Sequence, residues 1–396
     1  MPRFEPFAGL RYDPSVPLDL VIAPPYDVVS PAQREELAGR HRANAIHVEL
    51  PADDPGRGLD RYQAAAAILE AWTEEGLVLR DAAPAFYAYR MRTRGGEITT
   101  GVIGALYCEQ PGGDILPHEQ TIPKDKSDRL NLLRSCRANL SPIWGLSLTA
   151  GLSEAYEPAD LPDAEATDDD GVVHSLWVLD DPAAVAAIAE GVAQSPVVIA
   201  DGHHRYETAL AYQAERRQAT GGAAGAYDAV MALVVELADD QLSVGPIHRT
   251  LSGVPDGVDI VEAFGRWFDV VAAGPLDDKL VAAVSDSKAL ALVTGGSVWL
   301  LTPRAEAYEA AGSDLDSSVV ALAVEGIEGA TTTHHHDVAA ALAALESGEA
   351  QAALLLRPVT VAQIGEWARA RRRMPPKSTY FSPKPRTGMV FRPVED

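Results

Sequence analysis

The stretch from His174 to Leu237 constrains the fold of this chain more than any other. An apolar strand pattern (HSLWVL) is followed by Asp181-Pro182, a helix start, with Val185, Ile188 and Val192 spaced along one face. The apolar run PVVIA comes next and ends at Asp201-Gly202, after which YETALAYQAERRQ reads as a helix and Ala229 to Leu237 as another buried strand. Strands apolar on both faces, separated by amphipathic helices, must be covered by those helices, so the fold class is α/β, with α+β mixed sheets.

The C-terminal third repeats the style. Strands are expected at Ala289–Thr294, Ser297–Leu301 and AALLL, with helices from Asp337 to Glu346 and from Val361 to Arg372. Upstream, Ser30-Pro31 reads as an N-cap and first helical turn, and Asp60 to Glu75 as a helix with Ile68, Leu69 and Trp72 on one face. Ala85–Met91 and Thr99–Tyr107 join through Arg94-Gly95-Gly96 as a hairpin. A chain of 396 residues exceeds what one core usually organises. We place an N-terminal α/β unit at 1–110, a core at 111–270 and a C-terminal α/β domain with a basic tail at 271–396. Glu154 to Asp170, crowded with carboxylates around two prolines, reads as a solvated linker or insertion.

Charge and cysteine content narrow the partners. Lys and Arg number 33 against 57 Asp and Glu, a formal −24, which repels nucleic acid and anionic membranes at long range. Two cysteines, Cys108 and Cys136, permit one bridge at most and fit a reducing compartment. With no apolar stretch near 18 residues and no basic-apolar leader pattern, a cytoplasmic location is expected.

Two motifs bear on chemistry. Asp201-Gly202-His203-His204-Arg205 lies where an apolar strand hands over to a helix, so backbone N–H groups and the helix dipole favour an anion there. Gly202 permits close backbone approach, Arg205 has the fork to clamp two oxygens, His203 and His204 can donate to phosphoryl oxygens, and Asp201 can orient a hydroxyl or hold Mg²⁺. The other reading of the same residues is structural: Asp201 caps the helix and the histidines satisfy local backbone groups. The second motif is Pro117-His118-Glu119-Gln120-Thr121, a carboxylate on a proline-bounded loop, the right group to take a proton from a hydroxyl but also a common exposed glutamate. No G-x-x-x-x-G-K-[ST] occurs. Two basic islands stand out instead: Lys124 to Arg137, and Trp367 to Arg392 with eight Lys/Arg and no acid. Such islands suit a small, highly charged polyanion.

Taken in order, PHEQ, an apolar strand, DGHHR and the FSPK of Phe381–Lys384 resemble the archaeal ADP-dependent free serine kinases of the ParB/sulfiredoxin-like superfamily. Over its whole length, through APPYDVVSP, LPHEQT, RANLSPIWGL, DGHHRYETAL and PPKSTYFSPKP, the chain resembles the bacterial DUF1015 family, which includes pyrophosphate-dependent serine kinases. The resemblance implies a ParB/sulfiredoxin-like catalytic core behind an N-terminal extension. It makes Glu119 the base that deprotonates the serine hydroxyl and Asp201 essential to catalysis and a metal contact. Gly202, His203, His204 and Arg205, with Lys124, Arg137, Lys377 and Lys384, are then expected around the phosphate donor, and His118, Asn139, Ser378 and Thr379 around the substrate. Glu119 and Asp201 are 82 positions apart, farther than in the archaeal enzymes, with the acidic stretch inside the interval. The expected activity is phosphorylation of free L-serine to O-phospho-L-serine with Mg²⁺ and pyrophosphate; ADP or ATP is the alternative donor, and a phosphoserine or pyrophosphate sensor the non-catalytic alternative. Sequence does not set the oligomeric state.

Overall fold

A computed structural model describes residues 1–117, 126–158, 160–274 and 289–394. The chain divides into two compact units: Met1–Ser243 with Pro383–Asp396, and Val244–Ser382. These limits differ from boundaries near 110 and 270, because strands from both sides of residue 110 share one sheet.

That sheet has nine strands: β1 (Phe4–Glu5), β2 (Phe86–Arg92), β3 (Ile98–Tyr107), β4 (Ile115–Pro117), β5 (Ile143–Ser147), β6 (Ala164–Thr167), β7 (Val173–Leu179), β8 (Val197–Asp201) and β9 (Ala229–Glu236). Their order is β4-β8-β5-β9-β3-β2-β7-β6, with β1 on β3. Most pairs are antiparallel, but β8 with β4 and β9 with β5 are parallel. The sheet is therefore mixed, and β8 and β9 are not neighbours. The β2–β3 hairpin forms as the Gly95-Gly96 turn requires.

Every residue of β9 is buried, the pattern of a central strand covered on both faces. Ile188 and Val192 of the helix Pro182–Ala193, and Tyr206 and Ala209 of the helix His203–Ala219, pack with Ile143, Val197, Ile199 and Val234 in one cluster. A second cluster gathers Leu37, Ile46, Leu69 and Trp72 from the N-terminal helices with Leu132, Leu140 and Phe391. Each such large side chain contributes roughly 1.5–3 kcal/mol on burial. The helix Arg61–Glu74 opens on an Asp60 capping box and Pro31–Arg40 on a Ser30 one, as the sequence dictates.

The acidic stretch is not a solvated linker. Part of it is β6, paired with β7, and Asp168 is buried between His174 and Arg386, its Oδ2 accepting from Arg386 Nε at 2.9 Å. The opposite charge of Arg386, 218 positions away, was what a local reading missed. Arg386 belongs to a C-terminal tail that returns to the first unit: Arg392–Pro393 pairs with Ala138–Asn139, and Thr387 and Phe391 bridge Ala23 and Leu10.

The second unit is a six-stranded sheet of β10 (His248–Ser252), β11 (Phe268–Ala272), β12 (Leu290–Thr294), β13 (Ser297–Pro303), β14 (Thr331–His335) and β15 (Ala352–Leu355). The order is β11-β13-β12-β15-β10-β14, with antiparallel pairing throughout. Alternation assigns its faces: Leu290 and Leu292 pack with Val319, Val320 and Ala323 of the helix Asp316–Glu325, while Ala291 and Val293 pack with Ala341 of the helix Val338–Glu346. The helix expected to run from Val361 to Arg372 ends at Arg369; Arg371 takes a left-handed conformation (φ 51°) and Arg372 stacks on Trp367.

Candidate active site

The turn after β8 is built by backbone geometry first. Gly202 takes φ 84°, ψ 27°, and a Cβ there would sit 3.1 Å from the Ile143 Cα, so no other residue fits without strain. Gly202 is itself the N-cap of His203–Ala219, and no side chain caps that end. Asp201 therefore does not cap the helix.

The Asp201 carboxylate faces two cations instead. Its Oδ2 accepts from Arg205 Nη2 at 2.8 Å and its Oδ1 from Lys384 Nζ at 3.1 Å; the same ammonium donates to Asp27 Oδ2 at 2.8 Å. Burial by itself raises the Asp201 pKa, but the charges of Lys384 and Arg205 outweigh it and hold the carboxyl below its ordinary value. Burial likewise works against the charges of Lys384 and Arg205, and the facing carboxylates Asp201 and Asp27 raise both above their usual values. The FSPK motif thus meets the DGHHR motif through one ion pair.

Arg205 is braced from behind. Its Nη1 donates to Ser141 Oγ at 3.1 Å and to the Pro142 carbonyl, while its Nε is buried without a hydrogen-bond partner. Ser141 in turn donates to Glu49, a carboxylate 2% exposed, whose pKa burial raises against the opposing charges of Arg129 and Arg205. Arg129 donates to the Glu49 carbonyl and stacks on Tyr26, 4.4 Å from its ring centre. A cavity of about 50 Å³ lies here, lined in part by Glu49, Arg129, Ser141, Arg205 and Thr208.

The residues singled out from sequence fall into three groups. Asp201, Gly202, Arg205 and Lys384 come together, with His203 and His204 on the first helical turn. Arg205 uses both Nη groups on the protein rather than standing open as a two-oxygen clamp. Asn139 is a buried fastener, its Oδ1 accepting from Met231 N at 2.9 Å and Arg392 Nη1 at 3.2 Å, and it also lines the cavity. Arg137 is exposed at the end of Lys126–Cys136, in the left-handed region (φ 47°). Lys377, Ser378 and Thr379 belong to the second unit, Ser378 donating to the Pro375 carbonyl. His118, Glu119 and Lys124 lie outside the described residues.

Asp27, Glu49 and Ser141 went unnoticed as site residues. Asp27 stands in the Pro-Pro-Tyr-Asp turn, legible only as a turn, and nothing local to it points 174 residues ahead to Asp201. The basic islands do not form one open positive surface: Arg129 pairs with Asp128, Arg134 with Glu215, and Arg386 with Asp168 and Asp170. Burial pushes the Cys108 and Cys136 thiols up to about 12, so neither has the thiolate that redox chemistry requires.

Among the described residues no three His, Cys, Asp or Glu side chains form a metal cluster. Asp201 and Asp27 are the hard-oxygen donors at this turn, of the kind that hold Mg²⁺ together with substrate phosphates, but both Asp201 oxygens and Asp27 Oδ2 accept from Lys384 or Arg205, so a bound Mg²⁺ would share them with these cations.

A family model described as "protein of unknown function (DUF1015)" matches residues 4–322. The chain belongs to the DUF1015 family. No curated protein matches this DUF1015 chain. Among solved structures it is similar to a conserved hypothetical protein from Pyrococcus furiosus (14% identity, 70% of this chain and 90% of that one, TM-score 0.36). It is also similar to a free serine kinase in complex with AMP (16%, 68% and 83%, 0.34) and to SbnI from Staphylococcus aureus (13%, 70% and 83%, 0.37). No helix among the described residues is long and apolar enough to cross a membrane.

Proposed function

We propose that this protein transfers a phosphoryl group to free L-serine, giving O-phospho-L-serine, with pyrophosphate as donor. The observation that carries the reading is the ion pair between Asp201 and Lys384, which ties the DGHHR turn to the FSPK segment, two of the motifs on which the resemblance to serine kinases rests. An uncapped helix N-terminus held against two cations is a setting for a phosphate chain.

In the proposed reaction, the serine Oγ attacks the terminal phosphorus, Glu119 takes the hydroxyl proton, and the bridging P–O bond breaks, leaving inorganic phosphate. Catalysis is chiefly positioning and charge neutralisation. Gly202 admits the donor to the backbone of the turn, and His203 and His204 donate to its oxygens. Asp201 fixes Lys384 and Arg205, and its lowered pKa keeps it anionic at neutral pH. Mg²⁺, bound through Asp201 with the donor's own oxygens, would offset phosphate charge. ADP or ATP is the second donor reading, since the absence of a P-loop leaves other nucleotide sites open.

The test is incubation with Mg²⁺ and L-serine, with pyrophosphate, ADP or ATP supplied in parallel. Phosphoserine with pyrophosphate supports the proposal; no phosphoserine with any donor overturns it. Binding of phosphoserine or pyrophosphate without turnover would leave the sensor reading standing.

A further inference from the structure

Three consecutive aspartates, Asp168, Asp169 and Asp170, stand at the turn between β6 and β7, within the sequence interval that separates Glu119 from Asp201. Each takes an arginine. Asp169 accepts from Arg40 through both oxygens, at 2.9 and 2.8 Å, while Asp168 and Asp170 both accept from Arg386 of the C-terminal tail. The turn is itself anchored: Thr167 N donates to Asp19 Oδ1 at 2.6 Å, and Val172 N donates to Asp168 Oδ1 at 2.9 Å.

Behind Arg386 the contacts close into a ring. Burial raises the Asp168 pKa, but the His174 hydrogen bond and the Arg386 charge outweigh it and keep the carboxyl ionised, while burial lowers that of His174. An ionised carboxylate only accepts, so His174 Nε2 carries the proton that it shares with Asp168 Oδ2 at 2.9 Å. His174 Nδ1 is then the acceptor for the Tyr89 hydroxyl at 2.7 Å, and the Tyr89 oxygen accepts from the Arg386 backbone N–H at 3.1 Å. Arg386 Nε completes the circuit at Asp168. Tyr89 and His174 are fully buried.

The place of Arg386 in the chain gives the ring a use. Arg386 comes two residues after Lys384, and Pro383 and Pro385 have fixed φ on either side of that lysine. Lys384, preceding a proline, is confined to extended backbone. Thr387 pairs with Ala23 in both directions, at 2.8 and 3.0 Å, and Ala23 leads through Pro24-Pro25-Tyr26 to Asp27, the second partner of the Lys384 ammonium. A segment with so few free dihedrals passes the location of Arg386 on to Lys384.

We propose that Asp168, His174 and Tyr89 are positioning residues for Lys384: they seat the tail so that its ammonium stands between Asp201 of the DGHHR turn and Asp27. The acidic insertion is the dock for the segment that brings this cation to the turn. What Lys384 does for a phosphate donor rests on the proposed phosphoryl transfer; where its ammonium stands does not.

The experiment reads that seat directly. Full-length protein is trace-labelled with acetic anhydride at pH 8 and acetylation of Lys384 is followed by peptide mass spectrometry; an ammonium 13% exposed between two carboxylates reacts slowly. Tyr89→Phe, which keeps the aromatic ring and removes the hydroxyl, should speed Lys384 acetylation about fivefold, and Arg386→Gln about tenfold or more. Ile188→Val weakens the same unit from a core cluster that contains no tail residue, and should leave the rate within about twofold of the parent. In the turnover assay, Tyr89→Phe and Arg386→Gln should raise the pyrophosphate KM several-fold with the L-serine KM unmoved, and Arg386→Lys should recover part of the loss. Tyr89→Phe serves if Arg386→Gln does not fold. Parental acetylation of Lys384 in the ring variants, equally fast acetylation in Ile188→Val, or faster acetylation with an unmoved pyrophosphate KM would overturn the proposal. A parent that forms no phosphoserine refutes the proposed function instead, and the acetylation rates still decide the seating.

Discussion

Lys384→Met removes the ammonium that joins the C-terminal tail to Asp201 and Asp27. A hydrogen bond to a charged group contributes about 1.5–3 kcal/mol, which applies to Asp201; the Asp27 carboxylate is 39% exposed, and its share falls to about 0.2–1 kcal/mol. Losing the buried ammonium also returns part of its desolvation cost, so the net expected loss is about 2–3 kcal/mol. For a unit of roughly 250 residues each kcal/mol moves the melting temperature about 2–4 °C, giving a fall of about 4–12 °C at pH 7 by calorimetry. The pH dependence carries a definite sign. Asp201 has a lowered folded pKa, so its contribution is present above the unfolded carboxylate value near 4 and is lost as pH falls through the folded one. Lys384 has a raised folded pKa, so its contribution is present below about 10.5 and is lost as pH rises through the folded value. The gap between parent and variant should therefore be widest between these limits and close below pH 4. A melt within 1 °C of the parent at pH 7, or a gap that widens in acid, would refute the view that this pair fastens the turn.

Other substitutions probe the remaining parts. Glu119→Gln should abolish phosphoserine formation while leaving pyrophosphate affinity within about twofold, checked by calorimetric titration beside a turnover assay; unchanged activity sinks the base assignment. Gly202→Ala should cost roughly 1–2 kcal/mol through its left-handed backbone and the close Ile143 Cα, and should lower turnover, measured by urea unfolding and initial rates. Asp168→Asn should destabilise the first unit by about 1–3 kcal/mol, since it leaves Arg386 with only the exposed Asp170 as a charged partner; a denaturant midpoint shows it. Cys108 and Cys136, pushed up to about 12, should label with iodoacetamide far more slowly at pH 8 than a free thiol, and rapid labelling of native protein would contradict their burial.

Local patterns made much of the fold legible. Ser30, Asp60 and Asp181 cap helices where their spacing requires it, and the β2–β3 hairpin and β8 through β9 segment lie where periodicity puts them. Long-range pairing was not legible. The tail residues Lys384, Arg386 and Arg392 read as a free basic island, yet each is held by groups far away in sequence: Asp201, Asp168 and the Ala229 carbonyl. Glu49 and Arg249 carry no local signal, because nothing in a sequence announces that a charge will be buried by elements a hundred residues distant.

The central claim is tested most directly by measuring phosphate release from pyrophosphate, with Mg²⁺, as a function of L-serine, while O-phospho-L-serine is followed by ³¹P NMR. The account predicts release that depends on serine, one phosphate per phosphoserine formed, and loss of both signals in Glu119→Gln. Release that ignores serine, or serine-dependent release without phosphoserine, would contradict it.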